Sequence, residues 1–243
     1  MDIIKLNAID STNSYLRQLC TTQELQDLTV VMTKLQLNGR GQMGTTWYSE
    51  AGKNLTCSVF KAIDGLPLDQ SFAVSMVTSL AMIRTLKRFN IPRLRIKWPN
   101  DILSENLKIC GILIENVTKN YRIEASILGI GLNVNQTFFS DLPQATSLKN
   151  ITGNIFDLEE LLMSIQEDLK FYFNRFKGSS FEAIKLEYED ILFRRGKPST
   201  FRDGSGEQFP GFIKGVDGSG NLIVRLEDDL IQTFGLKEIQ LLY

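Results

Sequence analysis

The pattern of apolar residues changes near Arg195, and this change constrains the fold more than any other feature. Before it, helix-length segments with 3.6-residue apolar spacing alternate with β-branched runs. After it, short alternating runs are separated by frequent glycines, and Asp217-Gly218 and Ser219-Gly220 separate two of these runs as in a β-hairpin. The sequence therefore predicts a mixed α/β domain over residues 1–194 and a small all-β domain over 195–243, the size of an SH3-like barrel.

The larger domain is predicted to contain both strands and helices. Strands are expected at residues 3–6, 28–33, 55–60, 94–98, 108–117 and 121–129. Helices are expected after Ser14, which can cap the first of them, over 69–89, from Asp157 onward and over 180–192. Asp157 followed by Glu160 has the spacing of a capping box, which favours the third helix.

The chain contains no histidine. This excludes a Ser-His-Asp or Cys-His nucleophile system, a zinc site of the HExxH type and an imidazole general base. Any chemistry must therefore use lysine, arginine, carboxylates, hydroxyls and backbone amides.

Charge and cysteine content limit the environment and the partners. The formal net charge is −1, which argues against general binding to DNA or RNA. Cys20, Cys57 and Cys110 are odd in number and far apart, as in free buried thiols of a reducing compartment. The chain shows no signal peptide, and its longest apolar stretch, Phe72 to Ile83, is shorter than the roughly 20 residues of a membrane span. We expect a cytoplasmic protein without a membrane or DNA partner.

A glycine-rich loop extends from Gln36 to Trp47. Gly39, Gly41 and Gly44 match the GxGxxG pattern of a dinucleotide-binding turn, but the residues after them favour strand or loop instead of the required helix. A second interpretation is a flexible loop that carries Arg40 over a phosphate-bearing ligand. The third is an ordinary surface loop.

Two lysine-containing segments are candidates for binding charged ligands. In Lys97-Trp98-Pro99-Asn100-Asp101, Asp101 could hold Mg²⁺, and the basic residues of 84–97 would give a positive field suited to a polyphosphate. The alternative is a turn with solvated basic residues. In the segment 108–115, Lys108 begins a buried strand and Gly111 permits close approach of a ligand, although such a lysine is commonly a snorkelling edge residue.

Taken in order, these segments resemble biotin–protein ligases along residues 1–243. That family carries Ser-Thr-Asn, GRGxxGxxW, KWPND, KxxGIL and GxGxN, which here begin at Ser11, Gly39, Lys97, Lys108 and Gly129. The resemblance implies a mixed-sheet α/β catalytic domain of the biotin/lipoate ligase type with a small C-terminal SH3-like domain. Because the chain begins ten residues before Ser11, it also implies the monofunctional form, without an N-terminal DNA-binding domain.

The resemblance also implies residue roles and ligands. Lys108, Arg40 and Asp101 would be catalytic. Biotin would be bound by Ser11, Thr12, Asn13, Gln36, Arg40, Gly41, Gln42, Lys108, Gly111, Gly129 and Gly131. ATP would be bound by Arg40, Gln42, Trp47, Lys97, Asn100, Asp101, Lys108 and Asn133, with Mg²⁺ at Asp101. Gln42 and Thr45 replace two arginines that are common in the family, which implies weaker retention of the acyl-adenylate.

The implied activity is activation of biotin by ATP to biotinyl-5′-AMP and transfer to a lysine of a biotin carboxyl carrier protein domain. No tightly bound organic cofactor is implied, and we expect a monomer or a weak homodimer. Two alternatives stay open: a lipoate or octanoate ligase, and a catalytically inactive biotin-binding module. Lys108 together with Asn100-Asp101 favours an active enzyme, and a Rossmann oxidoreductase is the weakest candidate.

Overall fold

The computed structural model describes residues 2–140 and 142–243. Its elements, in chain order, are β1 (Ile3–Ile9), α1 (Thr12–Thr22), β2 (Val30–Gln36), β3 (Leu55–Pro67), α2 (Phe72–Arg88), β4 (Leu94–Lys97), β5 (Asp101–Ser104), β6 (Leu107–Lys119), β7 (Arg122–Leu132), α3 (Leu148–Thr152), α4 (Leu158–Lys177), α5 (Phe181–Asp190), β8 (Pro198–Asp203), β9 (Gln208–Val216), β10 (Leu222–Arg225), β11 (Ile231–Phe234) and β12 (Ile239–Leu242).

The strands form two sheets. The first has seven strands in the order β1-β2-β3-β7-β6-β5-β4, with β1 parallel to β2 and the other neighbours antiparallel. The second has five antiparallel strands in the order β11-β10-β9-β8-β12, and the predicted hairpin pairs Val216 with Leu222. The mixed-sheet α/β class is confirmed, while the SH3-like description and the boundary at 195 stay predictions.

Side chains alternate between the two faces of the seven-stranded sheet, as the two-residue period of a strand requires. On one face, Val31 and Ile127 pack with Leu16 of α1. On the other, the neighbouring residues Val30 and Leu128 join the main core with helices α2, α4 and α5. Helix α1 therefore packs on the first face of the sheet.

Two details differ from the sequence-based expectations, and one agrees with them. Ser11, not Ser14, caps α1: its backbone is extended and its side-chain oxygen accepts a bond from the Ser14 N–H. The short strand β5 was not predicted, because its four residues lie between two turns. Asp157 does cap α4, accepting from the backbone N–H groups of Glu159 and Glu160.

All three cysteines are free, with Cys57 and Cys110 buried and Cys20 half-buried. Burial raises the pKa of Cys57 to about 12, so its thiol is protonated and unreactive at neutral pH. Within the described ranges, no helix has the length and apolar character needed to cross a membrane.

Two side chains of the α/β part, Trp98 and Glu189, fasten the second sheet to it. Trp98 donates from Nε1 to the carbonyl oxygen of Gly220 at 2.9 Å. Glu189, a buried carboxylate at the end of α5, accepts the Val216 N–H at 2.9 Å and pairs with Arg195 at 3.3 Å. A single side chain of the β4–β5 turn therefore reaches directly into the second sheet.

Replacing Trp98 by phenylalanine should lower the free energy of unfolding by about 1 kcal/mol, the usual net value of one hydrogen bond. The Gly220 carbonyl loses its donor while most of the aromatic contact is kept. Urea unfolding followed by circular dichroism measures the change, with Tyr48→Phe, at an exposed side chain, as the matched control. Equal midpoints for both variants would contradict the assigned role of this bond.

Candidate active site

A cavity of about 500 Å³ lies where the N-terminal end of α1, the glycine loop, the β4–β5 turn and the second sheet meet over β6 and β7. Such a volume suits a small-molecule site. The predicted site residues that line it are Ser11, Thr12, Asn13, Gln36, Arg40, Gly41, Gln42, Trp47, Lys97, Asn100, Asp101, Lys108, Gly111, Gly129 and Gly131. The structure thus brings together every predicted site residue except Asn133.

A buried polar network forms one side of the cavity. Thr12 donates its backbone N–H to Gln36 Oε1 at 2.8 Å. The Thr12 hydroxyl oxygen lies 2.7 Å from Ser58 Oγ, and Ser58 donates to Asn13 Oδ1 at 2.5 Å. Ser58 is fully buried on β3, so this network is rigidly supported from beneath.

Glycines on two neighbouring strands make the cavity floor. Gly111 of β6 pairs directly with Gly131 of β7, and Gly129 lies two residues away on the same face. A Cβ at Gly129 would lie 2.5 Å from Asn13 Oδ1, and one at Gly131 would overlap the Trp47 indole. Glycine is therefore required at positions 129 and 131 because Asn13 and Trp47 approach the backbone closely.

Trp47 follows the glycine loop and covers this floor. Its Nε1 is buried without a hydrogen-bond partner, and its ring centroid lies 5.5 Å from Lys108 Nζ. An indole N–H inside a polar cavity is available to an incoming acceptor such as a carboxylate or phosphate oxygen.

The KWPND segment forms the tight turn between β4 and β5. Lys97 and Asp101 are a cross-strand pair on either side of this turn. Asn100 donates from Nδ2 to the Ile112 carbonyl at 2.6 Å, and its own carbonyl accepts the Ile112 N–H at 3.0 Å. The turn is therefore locked onto β6, which carries the next motif.

An extra residue in β6 directs Lys108 toward the cavity. The register between β5 and β6 shifts, since Ile102 pairs with Cys110 while Leu103 pairs with Lys108. Ile109 and Cys110 consequently both enter the main core, and Lys108 lines the cavity with Gly111. Such a bulge re-aims side chains next to active sites.

Lys108, Asp101 and Lys97 form a charged cluster. Lys108 Nζ lies 2.6 Å from Asp101 Oδ1, and Lys97 Nζ lies 3.9 Å from Asp101 Oδ2. Burial, with a smaller contribution from the charge of Lys108, lowers the pKa of Lys97, although Asp101 opposes this shift. Two cations share one carboxylate, so the cluster has a local positive charge suited to an anionic ligand.

The described residues offer no group of three or more Cys, Asp or Glu side chains positioned to hold a metal. Asp101 Oδ1 is buried and makes no directed hydrogen bond, although Lys108 lies close to it. Protein ligation of Mg²⁺ by one carboxylate, with phosphates completing the shell, is compatible with this arrangement.

The glycine loop, for which one interpretation of the sequence is a flexible loop, has local backbone structure. Gly41 donates its N–H to the Thr45 carbonyl, and Trp47 donates to Gly39. Arg40 donates from Nη2 to Ser14 Oγ at 3.0 Å and lies 3.3 Å from Glu115 Oε1. The loop is thus a short hairpin whose arginine rests on β6.

One predicted site residue does not line the cavity. Asn133 lies outside the lining, where its side chain donates to the Thr146 carbonyl at 3.0 Å. The positive field expected over 84–97 stays a prediction, and among the basic residues of this stretch Lys97 is the one that lines the cavity. Arg84 and Arg88 pair with Asp168, and Arg93 pairs with Glu105.

Several residues at the site were not identified from the sequence. Ser58 and Glu115 belong to the polar network, and the second sheet adds lining residues including Ile213, Leu222, Lys237, Ile239 and Leu241. The aromatic ring of Tyr243 faces Lys97 Nζ at 5.0 Å. Alternate residues of a strand share a face, so Glu115 lies on the same face of β6 as Gly111. Of these residues, Glu115 is therefore the one that the strand periodicity could have identified.

The family model of the Biotin/lipoate A/B protein ligase family matches residues 6–133. A biotin–[acetyl-CoA-carboxylase] ligase of Paracoccus denitrificans is 30% identical over 223 residues, covering 89% of this chain and 91% of that protein. The bifunctional ligase/repressor BirA of Bacillus subtilis is 28% identical over 233 residues, covering 94% of this chain and 70% of that protein.

Solved structures agree with these sequence relationships. The biotin protein ligase of Aquifex aeolicus, solved in complex with biotin and ATP, superposes with a TM-score of 0.81 at 25% identity, covering 99% of this chain and 98% of that one. The family model covers more than half of the sequence and the motifs it spans line one cavity. The chain therefore belongs to the biotin/lipoate A/B protein ligase family.

Proposed function

We propose that this protein is an ATP-dependent biotin–protein ligase. It activates biotin to biotinyl-5′-AMP and transfers the biotinyl group to a lysine of a biotin carboxyl carrier protein domain. The observation that carries this proposal is the composition of the cavity. The polar network of Ser11 to Asn13 and the cluster of Lys108, Asp101 and Lys97 line the same 500 Å³ space.

The two parts of the cavity suit the two substrates. Hydroxyl and amide groups on a glycine floor can bind a neutral urea ring, and the lysine cluster suits a carboxylate and phosphates. The relationship to a Paracoccus denitrificans biotin–[acetyl-CoA-carboxylase] ligase over nine-tenths of both chains supports biotin over other acids.

In the first step, a carboxylate oxygen of biotin attacks the α-phosphorus of ATP. The bond from that phosphorus to the bridging oxygen breaks, and pyrophosphate leaves with the electron pair. Both reactants are anions, so their approach costs electrostatic energy that fixed cations can offset. Lys108 and Arg40 supply these cations, and neither needs to change its protonation state.

In the second step, the neutral amine of a carrier lysine attacks the acyl carbon of the mixed anhydride. An amide bond forms, the carbon–oxygen bond to AMP breaks, and AMP leaves as an anion. The same cations stabilise this leaving group, and the amine proton passes to solvent. No histidine and no covalent enzyme intermediate are required.

Mg²⁺ belongs to this proposal as the partner of the triphosphate, for which it neutralises charge. Asp101 is the carboxylate of the cavity lining that could contribute a ligand, and its buried Oδ1 without a directed hydrogen bond supports this assignment. The proposal also includes a cytoplasmic location, no DNA or membrane partner, and a monomer or weak homodimer.

Mass spectrometry of a biotin carrier domain incubated with the protein, biotin and MgATP tests the proposal. We expect the mass of one biotinyl group to be added to the carrier. A gain with lipoate or octanoate instead would identify the related ligase activity. Biotin binding without any pyrophosphate release would identify an inactive binding module.

Biotin should protect the glycine loop from trypsin. Arg40 is about half exposed, and ligand contacts to Arg40 and Gln42 would restrict the backbone that the protease must unfold. Cleavage after Arg40 is expected to slow on adding biotin, while cleavage after Lys119, which lies exposed at the end of β6, stays unchanged. Equal slowing of cleavage after Arg40 and after Lys119 would mean that biotin does not protect the glycine loop specifically.

A further inference from the structure

Glu115 lies on the cavity face of β6, and only a fifth of its side chain is exposed. Its Oε2 accepts a hydrogen bond from Asn13 Nδ2 at 2.9 Å, and its Oε1 lies 3.3 Å from Arg40 Nη2. The carboxylate thus contacts both a residue of the polar network and the arginine of the glycine loop.

An ionised carboxylate accepts hydrogen bonds and cannot donate them. Because Nδ2 of Asn13 must face Glu115, Oδ1 must face Ser58, which donates to it at 2.5 Å. An amide by itself could be placed either way round. The shorter of the two bonds that fix the Asn13 amide goes to Glu115, and the second goes from Nδ2 to the Leu113 carbonyl at 3.4 Å.

The orientation then passes along the network. Ser58 has one hydroxyl hydrogen, and both Asn13 Oδ1 at 2.5 Å and the Thr12 hydroxyl oxygen at 2.7 Å lie within reach of it. The Thr12 hydroxyl in turn donates to Gln36 Oε1 at 3.1 Å. The Gln36 amide oxygen is held separately, by the Thr12 backbone N–H at 2.8 Å, and its Nε2 lies beside Gly39. Glu115 therefore sets the direction of the Asn13 amide and, through it, of the Ser58 hydroxyl.

We propose that Glu115 is a positioning residue that determines specificity for the urea ring of the acid substrate. The inference rests on the proposed function. A urea presents two N–H donors and one carbonyl acceptor, whereas the far ends of lipoate and octanoate present neither. A network with fixed donor and acceptor positions can match that pattern. A network whose amide and hydroxyl groups can exchange donor and acceptor positions cannot.

The ion pair with Arg40 is the lesser part of this role. The Arg40 side chain is about half exposed, and ion pairs at such positions contribute little because water and salt screen them. Its effect is to hold the arginine of the glycine loop beside Glu115. The bond to Asn13 carries the specificity.

The test compares Glu115→Gln with Glu124→Gln, a matched change at an exposed carboxylate on the neighbouring strand β7. Glutamine keeps the size of the side chain but can donate as well as accept, so residue 115 no longer enforces one orientation of the Asn13 amide, and only the longer bond to the Leu113 carbonyl favours it. Isothermal titration calorimetry is expected to show biotin affinity about tenfold weaker in Glu115→Gln and unchanged in Glu124→Gln. The KM for ATP should stay the same in both.

A double-mutant cycle separates positioning from general damage to the site. If Glu115 acts through Ser58, then Ser58→Ala and Glu115→Gln together should weaken biotin binding by much less than the product of their separate effects. Glu115→Asp, which remains acceptor-only, should recover part of the affinity. Unchanged biotin affinity in Glu115→Gln, independent effects in the cycle, or an equal loss of ATP binding would overturn the inference. Wild-type protein that binds no biotin would instead overturn the proposed function.

Discussion

Replacing Lys108 by alanine is expected to slow biotin-dependent pyrophosphate release by at least ~10²-fold, comparable to the loss of one preorganised donor from an oxyanion site. Lys108 lies in the cavity with its Nζ 2.6 Å from Asp101, and the β6 bulge holds it there. The variant removes a fixed positive charge from the place where two anions must meet. Without it, Asp101 adds a repulsive charge beside the reacting groups.

The measurement is single-turnover pyrophosphate release at saturating biotin and ATP, so that chemistry is separated from binding. Lys119→Ala, at the exposed far end of the same strand, is the matched control and should behave as wild type. Since about a third of the Lys108 side chain is exposed, the variant should fold normally. A rate within a few-fold of wild type would mean that Lys108 is not catalytic.

Gly129→Ala should weaken biotin binding about 10²-fold. The added methyl group would lie 2.5 Å from Asn13 Oδ1, far inside van der Waals contact. Asn13 cannot yield without breaking its bonds to Ser58 and Glu115. Losing such bonds costs about 1–3 kcal/mol each, and 1.4 kcal/mol is a tenfold change in affinity.

Calorimetric titration with biotin measures this loss, and thermal unfolding checks that the fold is intact. Gly178→Ala provides the control, because that glycine has an ordinary negative φ and its new Cβ would meet nothing closer than 3.8 Å. Wild-type affinity in Gly129→Ala would show that the Asn13 network moves freely and does not bind the acid.

Local signals in the sequence predicted most of the fold. The Asp157 cap and the apolar spacing after it identify α4, and the glycine dipeptides identify the turn between β9 and β10, because these depend on neighbouring residues alone. The four-residue strand β5 was missed since its length gives no periodicity. The first cap was assigned to Ser14 because two serines lie within one turn, and only backbone geometry distinguishes them.

The site was predictable as a set of motifs but not as a set of contacts. The motifs line one cavity, yet nothing in their sequence predicts the bulge at Ile109 that turns Lys108 toward this cavity. The ion pairs of the basic stretch were not predictable either, since the partner of Arg84 and Arg88 is Asp168, far away in the chain. The bulge depends on the register of two neighbouring strands, and these ion pairs depend on the packing of two helices, so no pattern within the stretch itself indicates them.

The participation of the second sheet in the cavity wall has a consequence for biosynthesis. Residues 239–241 of β12 line the same space as Ser11 and Thr12, which emerge from the ribosome first. The seven-stranded sheet and its helices can fold while translation continues, since N-terminal units generally fold first. The part of the cavity wall that the second sheet contributes stays unfinished until β12 pairs with β8, so a nascent chain can assemble the polar network around Ser11 and Thr12 long before the cavity is complete.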